Sequence, residues 1–392
     1  MDQIQRVFLR TTERKTFANC RQAWQWSFVN FWEAKRQKPA LVFGSLHHDS
    51  LAEWYVPGRK RGVHPAKTFH RLYNGMAEAG GDEFDVFVDD EKVDALELGC
   101  EMLNGYVRHW GNDDHINVIS SELHFEVDVY DKHGRYMFTY AGSFDLAYED
   151  LSTGQFGLIE TKTAAAVNTR FLALDEQAGS YWVFAPLVLQ SLGRIPEGQD
   201  IHFILYNFLR KAMPDDRPTN LAGARLNKPS KAALQEACAE RSLHWAKQTM
   251  DQMSDTLRAA GVDPAQLGEP SKIQPPPLFV RQKVYRDTID RESLLYRARA
   301  QAWEMGLVKA GKLPMYKNPS ASYPNQQCLG CEFGDVCELH ETGGQWEELA
   351  RLTMGTWDPY EDHRAVGEYA PAQGPKLGLV VVPKPKRKKA TK

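Results

Sequence analysis

Two neighbouring stretches constrain this chain more than any other part of it. Residues 136–148 and 156–163 read as strands on either side of a turn at Asp150–Gly154. The first carries Gly142-Ser143-Phe144-Asp145, and the second carries Ile159-Glu160-Thr161-Lys162. Residues two apart on a strand share a face, so Glu160 and Lys162 point the same way as Phe156 and Leu158. An acid and a base on an otherwise apolar strand face are expensive to bury unless they pair or hold a metal. One reading is a buried Lys–Glu pair beside an exposed Asp145. The other is two carboxylates and an ammonium converging on one point, the minimum set for divalent-metal phosphodiester hydrolysis. Hard carboxylate oxygens suit Mg²⁺ or Mn²⁺, the ion makes a bound water more acidic, and a lysine can orient the attacking group.

The flanking sequence supplies a frame for these strands. Residues 121–130 alternate through Leu123, Phe125, Val127 and Val129 as a further strand, and His133-Gly134 supplies a turn. A helix over 174–191 and a strand over 201–209 complete a mixed α/β core. Upstream, residues 5–35 read as strand then helix, with Phe17, Cys20, Trp24, Phe28 and Phe31 on one apolar face. Gly44 opens a second helix that lines up His48, Leu51, Ala52 and Tyr55. Residues 82–97 hold eight acids and one lysine, a solvated loop or helix edge. Downstream, 228–260 reads as one long helix, ended by Pro264, Pro270, Pro275, Pro276 and Pro277. A helix over 287–311 follows, then a loop-rich cysteine segment at 312–340. Beyond about Trp357 no periodicity persists, and disorder is expected.

Charge bears on what such a chain can bind. The net charge of −3 conceals a basic tail, Pro383–Lys392, with six basic residues and no acid. Without it, 42 basic residues face 51 acidic ones, so the body is acidic. Nucleic acid would then bind through a local basic groove or through metal ions bridging carboxylates to phosphate. The tail is either a solvated end or an attractant for a polyanion. No apolar run is long enough to span a bilayer, and the first residues lack the apolar core of a signal peptide. A cytoplasmic location is expected, in a bacterium or a phage-infected host. In that reducing compartment six cysteines are thiols or metal ligands rather than disulfides.

Asp145 followed by Glu160-Thr161-Lys162 resembles the signature of the PD-(D/E)xK nucleases, and specifically their RecB-like branch. Gly44-Ser45-Leu46-His47-His48 is similar to that branch's Gly-x-x-x-His motif, with His48 at the right offset and His47 an adjacent alternative. Gln177-Ala178-Gly179-Ser180-Tyr181 matches its Gln-x-x-x-Tyr motif, whose two ends share one helix face. The elements stand in the family's order over roughly residues 10–340. The resemblance implies a restriction-endonuclease-like mixed sheet flanked by helices. It also implies a divalent ion held by His48, Asp145, Glu160 and the Thr161 carbonyl. Lys162 would position the nucleophile, and Gln177 and Tyr181 would place the scissile strand. Arg170, Arg210 and Lys211 flank the site and are either phosphate contacts or ordinary surface charge. Trp24, Trp26 and Trp32 are either core residues or base-stacking ones.

The cysteines Cys328-x2-Cys331-x5-Cys337, with His340 three residues on, fit a local Cys₃His zinc site. RecB-like nucleases of the iron–sulfur class, among them the CRISPR-associated RecB-like family, carry one cysteine before the nuclease core and three after it. Cys20, Cys328, Cys331 and Cys337 match that arrangement, which implies a [4Fe–4S] cluster clipping the chain ends together. Cys100 and Cys238 lie on expected helices as structural residues.

The resemblance thus implies a metal-dependent DNA exonuclease acting on single-stranded ends, in phage or bacterial recombination, repair or CRISPR adaptation. A nuclease domain over 1–340 would contain a helical insertion at about 212–285, with an extension at 341–382 and the basic tail at 383–392. A non-catalytic DNA-binding scaffold and a restriction-like endonuclease are the alternatives. Gly306-Leu307-Val308-Lys309-Ala310-Gly311-Lys312 nearly fits a phosphate-binding loop, but Leu313 stands where a Ser or Thr is needed, and a helix precedes it. With no motor motif, any helicase activity would come from a partner.

Overall fold

A computed structural model describes residues 7–35, 38–78, 84–88, 91–131, 133–319 and 327–361. The basic tail lies outside them. Contacts divide the chain into two units, Met1–Lys211 with Phe279–Lys392, and Ala212–Leu278.

The first unit begins with β1 (Phe8–Leu9), α1 (Thr11–Asn19), α2 (Arg21–Trp24) and a π-helical turn (Gln25–Val29). There follow β2 (Trp32–Ala34), α3 (Pro39–Trp54), α4 (Pro65–Glu78), the hairpin β3 (Asp85–Val88) and β4 (Glu91–Asp94), and α5 (Ala95–Trp110). The central strands are β5 (Ile116–Tyr130), β6 (Tyr136–Asp150) and β7 (Gln155–Ala164); then come α6 (Glu176–Ser191) and β8 (Phe203–Arg210). The second unit holds α7 (Lys231–Glu240) and α8 (Met250–Ala259). The chain then returns through β9 (Phe279–Val284), α9 (Thr288–Lys309), α10 (Gly334–Thr342), α11 (Trp346–Thr353) and β10 (Met354–Thr356).

Six strands form one mixed sheet, in which β6, β7, β8 and β9 are neighbours in that order. β5–β6, β6–β7 and β8–β9 are antiparallel, and β7–β8 is parallel, joined by a crossover through α6. This is the mixed α/β arrangement expected from the strand and helix pattern, and it agrees with the restriction-endonuclease-like sheet that the resemblance implies. The core lies between the sheet and α6, where Phe125, Tyr140, Phe144, Trp182 and Phe184 are buried together. Gly179 lets α6 approach α9, since a Cβ there would lie 2.3 Å from Leu294 Cδ1.

One edge of β6 changes partner along its length. Thr139 and Tyr140 pair with β1, whereas Leu146–Asp150 pair with β7. The β6–β7 ladder ends at Leu146 opposite Ile159. Asp145 and Glu160 are the next residues along, so they stand where the two strands diverge.

Several sequence expectations shift. Helix α3 begins at Pro39, not Gly44, because proline is pre-set for the first helical position. Within the acidic stretch, the described residues Asp85–Val88 and Glu91–Asp94 pair as antiparallel strands ahead of α5, which Asp94 caps by accepting the Glu97 N–H. The single helix expected over 228–260 is two helices. Ser242 and Lys247 adopt positive φ, Thr249 and Gln252 form a capping box, and Met253 and Leu257 fold back onto Leu234 and Cys238. Phe279–Val284, placed in the insertion on sequence grounds, is an edge strand of the main sheet. The Gly306–Lys312 segment is the end of α9, with Gly311 at positive φ as its cap.

Candidate active site

Helix α3 supplies the first site residue through a close approach. A Cβ on Gly44 would lie 3.3 Å from Thr163 Oγ1 on β7, so a small residue lets the helix rest against the strand. One turn later, on the same helix face, His48 reaches the point where β6 and β7 diverge. Its Nδ1 lies 3.3 Å from Asp145 Oδ2 and 3.9 Å from Glu122 Oε1. Burial works against its charge, but Asp145, Glu122 and Glu160 together raise its pKa to about 9. His47 faces away. Its ring packs against Phe43 and Phe69, its Nδ1 lies 2.8 Å from the Phe43 carbonyl, and burial lowers its pKa to about 3.

Glu122 is a site residue that the sequence reading missed. Ser121 pairs with Leu146 and Leu123 with Phe144, so Glu122 stands across from Asp145 on β5. Two carboxylates directly opposite one another repel unless a cation lies between them. Burial, then Asp145, raises the Glu122 pKa to about 7. Its backbone is strained as well, with φ 44°, in the region favoured by glycine. Alternation through Leu123, Phe125 and Val127 places Glu122 on the other face of the strand and gives it no role. Its importance rests on standing opposite Asp145 in the β5–β6 register, which no spacing in the sequence marks.

The ligand atoms of His48, Glu122 and Asp145 all lie within 4.8 Å of one another, the single such group among the described His, Cys, Asp and Glu side chains. They line a small pocket together with Tyr55 and Thr161. Asp145 Oδ2 also accepts the Thr161 backbone N–H at 2.7 Å, which supplies the partner that the ended ladder no longer provides.

Glu160 lies beside this group, only 2% exposed. Its Oε1 accepts from Lys162 Nζ, and its Oε2 is buried without a hydrogen-bond partner. Burial, then the Asp145 charge, pushes its pKa up. Lys162 resists burial and stays firmly protonated through Glu160. Its Nζ also lies 3.3 Å from Gln177 Oε1, and Gln177 Nε2 donates to Tyr181 Oη at 3.0 Å. Glu160, Lys162, Gln177 and Tyr181 therefore form one continuous polar row from β7 to α6. His48, Glu122 and Asp145, an imidazole and two carboxylates, fit a hard divalent cation, and Glu160 stands near enough to raise the pKa of His48 and Glu122.

Behind the pocket is a buried network that the sequence reading did not include. Arg281 on β9 makes two 2.7 Å contacts to Asp113 and also donates to Tyr55, Tyr106 and Asn207. Asn207 Nδ2 in turn lies 3.4 Å from Thr161 Oγ1. The network thus fixes the floor beneath Thr161 and Tyr55.

The remaining expected residues fall elsewhere. Arg170 is exposed, with its guanidinium on the Phe171 ring at 5.0 Å. Arg210 and Lys211 are 8% and 9% exposed, and Lys211 lies over Phe43, so they are not open surface charges. Trp24 and Trp26 are core residues, and Trp32 stacks on Trp26. Cys100 sits on α5 with its Sγ directed at the Ala66 carbonyl, and Cys238 is buried on α7.

Cys20, Cys328, Cys331 and Cys337 are half-buried thiols. Burial raises Cys331 and Cys337, and Cys20 is among the charges that add to both shifts. Yet among the described residues no three sulfurs lie within 4.8 Å of one another. A single zinc with Zn–S bonds of about 2.3 Å would draw its thiolates to about 3.8 Å apart. The His340 ring packs against Trp26 and Trp346, and its Nδ1 is buried without a hydrogen-bond partner. Among the described residues the four cysteines are therefore not drawn together into a metal site.

No helix among the described residues is long and apolar enough to cross a membrane. A search of curated proteins returned no match. Residues 11–338 match the family profile of the PD-(D/E)XK nuclease superfamily. That span holds the strand fork, the acidic group at its mouth and the lysine beside it. With the profile covering most of the sequence and the geometry agreeing with it, the chain belongs to the PD-(D/E)XK nuclease superfamily, whose members use divalent metals and whose substrate is DNA.

Proposed function

We propose that this nuclease is a RecB-like deoxyribonuclease of the iron–sulfur class, acting as an exonuclease on single-stranded DNA ends. The observation that carries the catalytic reading is the His48–Glu122–Asp145 group, with Lys162 bonded to one Glu160 oxygen on the adjoining strand and the other Glu160 oxygen buried without a partner.

His48, Asp145, Glu160 and the Thr161 carbonyl would hold one or two Mg²⁺ or Mn²⁺ ions, with Glu122 as a further carboxylate. A bound divalent ion would supply Lewis acidity and offset phosphate charge. Asp145 is fixed by the Thr161 N–H, so its free lone pairs keep one direction. Lys162 remains cationic and is held between Glu160 and Gln177, where it can orient an attacking water and stabilise the charge that develops on phosphate. Gln177 and Tyr181 extend this row and would place the scissile strand, with Arg170 on its flank. A scaffold that only bound DNA would have no use for a partly buried lysine beside Glu160.

Cys20, Cys328, Cys331 and Cys337 would hold a [4Fe–4S] cluster. Trp26, Phe333 and Val336 pack the segments that carry these cysteines against each other. The context we infer is phage or bacterial DNA recombination, repair or CRISPR adaptation, with any helicase supplied by a partner.

The direct test is degradation of end-labelled linear single-stranded DNA against a closed circle of the same sequence, in Mg²⁺ or Mn²⁺. Loss of the linear strand alone is expected. Cleavage of the circle would replace the exonuclease reading with an endonuclease one.

A further inference from the structure

Between β7 and α6 the chain presents an arginine and an aromatic ring to solvent. Phe171 is 67% exposed, and the Arg170 guanidinium lies over its ring. Phe171 also has φ 63°, a conformation that a bulky L residue adopts only under constraint. The constraint lies just beyond it. The Leu172 carbonyl accepts from Tyr206 Oη at 3.1 Å and from Arg286 at 3.2 Å, and Arg286 also holds the Asp175 carbonyl at 2.8 Å. Leu174 N–H closes the turn on the Phe171 carbonyl. The ring is therefore displayed from a pinned turn, and neither its exposure nor its strain does anything for the core.

This turn leads straight to the site. Asp175 accepts the Gln177 N–H at 3.0 Å, and Gln177 Oε1 meets Lys162 Nζ. The turn that displays Phe171 is thus joined through Asp175 to the row that Lys162 and Gln177 form. A flat apolar ring with a guanidinium beside it is matched to a nucleobase and its phosphate, because stacking is open to any base and the cation takes the backbone charge. Strain at an exposed ring is also where binding function concentrates.

We propose that Phe171 and Arg170 form a shelf on which one unpaired base of the DNA strand stacks beside the scissile phosphate. The proposal rests on the nuclease reading above and adds a base-stacking residue to it. It would also account for the single-strand preference proposed above, since inside a duplex the faces of a base are covered by its stacked neighbours.

The experiment uses the full chain in Ca²⁺ and short fluorescent oligothymidylates in which one abasic site is moved along the strand. Wild-type protein should lose about ten-fold in affinity when the abasic site falls at one position, as expected for one lost stack. Phe171→Ala should bind the intact strand about ten-fold more weakly and be indifferent to that abasic site. Phe171→Leu should behave like Phe171→Ala, because it keeps apolar bulk without a ring. All three proteins should unfold at the same temperature, as the ring is exposed. Intact-strand affinity unchanged by Phe171→Ala, abasic sensitivity that persists in it, or wild-type behaviour from Phe171→Leu would each overturn the shelf while leaving metal-dependent cleavage standing. A wild-type protein that neither binds the strand in Ca²⁺ nor cleaves it in Mg²⁺ or Mn²⁺ would overturn the nuclease reading and the shelf together.

Discussion

The Asp145 carboxylate accepts the backbone N–H of Thr161 at 2.7 Å, at the point where the β6–β7 ladder has ended. One side chain thus closes the sheet at its fork and meets His48, with Glu122 beside it. Structure and chemistry meet in a single residue, and substitutions can separate them.

Asp145→Asn keeps an oxygen for Thr161 and removes the charge. It should unfold near the wild-type temperature and lose cleavage. Asp145→Ala should also lose cleavage, but it leaves a buried N–H without its partner, at about 1–3 kcal/mol, offset in part by relief of repulsion with Glu122. Thermal unfolding of the two variants, read beside a nuclease assay, checks both halves.

Acidity sets the response to pH. The folded-state pKa of Glu122 is raised from 4.5 to about 7, and that of His48 from 6.5 to about 9. In both windows the metal-free folded protein binds more protons than the unfolded chain, so these groups lose stability for it as pH rises from about 5 to about 9. A divalent ion must displace those protons, so its affinity rises over the same range. Unfolding temperatures measured with chelator and with Mn²⁺ should diverge as pH increases. A constant difference from pH 6 to pH 9 would contradict the assigned ligands.

Much of this site was legible because strand parity and motif spacing are local. Glu160 and Lys162 share a face by alternation alone, and Gln177 and Tyr181 share one by helical spacing. The choice of His48 over His47 followed from its offset from Gly44, and the structure supplies the reason in the contact of Gly44 with Thr163. Glu122 was hidden because its importance depends on which residue stands across the sheet, which periodicity does not reveal. The Arg281–Asp113 network was hidden for a similar reason: its members come from α5, β8, β9 and the end of α3, far apart in sequence. The break between α7 and α8 depends on two residues with positive φ, neither of them glycine, so no composition signal marked it.

The cysteines give a prediction with a visible readout. Purified without oxygen, the protein should be brown and carry roughly four irons per chain. Cys20→Ala and Cys328→Ala should each bleach it, since one comes from each end of the nuclease region. A colourless protein holding zinc, unaffected by Cys20→Ala, would contradict the cluster.

The basic tail should act through charge alone. Deleting Pro383–Lys392 removes six cations and should lower DNA affinity while making its salt dependence shallower. An unchanged slope of affinity against salt would mean that the tail does not contact DNA.

The central claim is that His48, Glu122, Asp145 and Glu160 hold the ion while Lys162 acts on the reacting groups. A Mn²⁺ titration of cleavage on end-labelled single-stranded DNA, run for wild type, Glu122→Gln and Lys162→Ala, separates those roles. Glu122→Gln should need about ten-fold more Mn²⁺ and then recover most of its rate, as expected for a weakened metal site. Lys162→Ala should remain about a hundred-fold slow at every Mn²⁺ concentration, because the ion still binds and the positioning charge is gone. Wild-type rates from both variants, or cleavage that persists in chelator, would contradict the account.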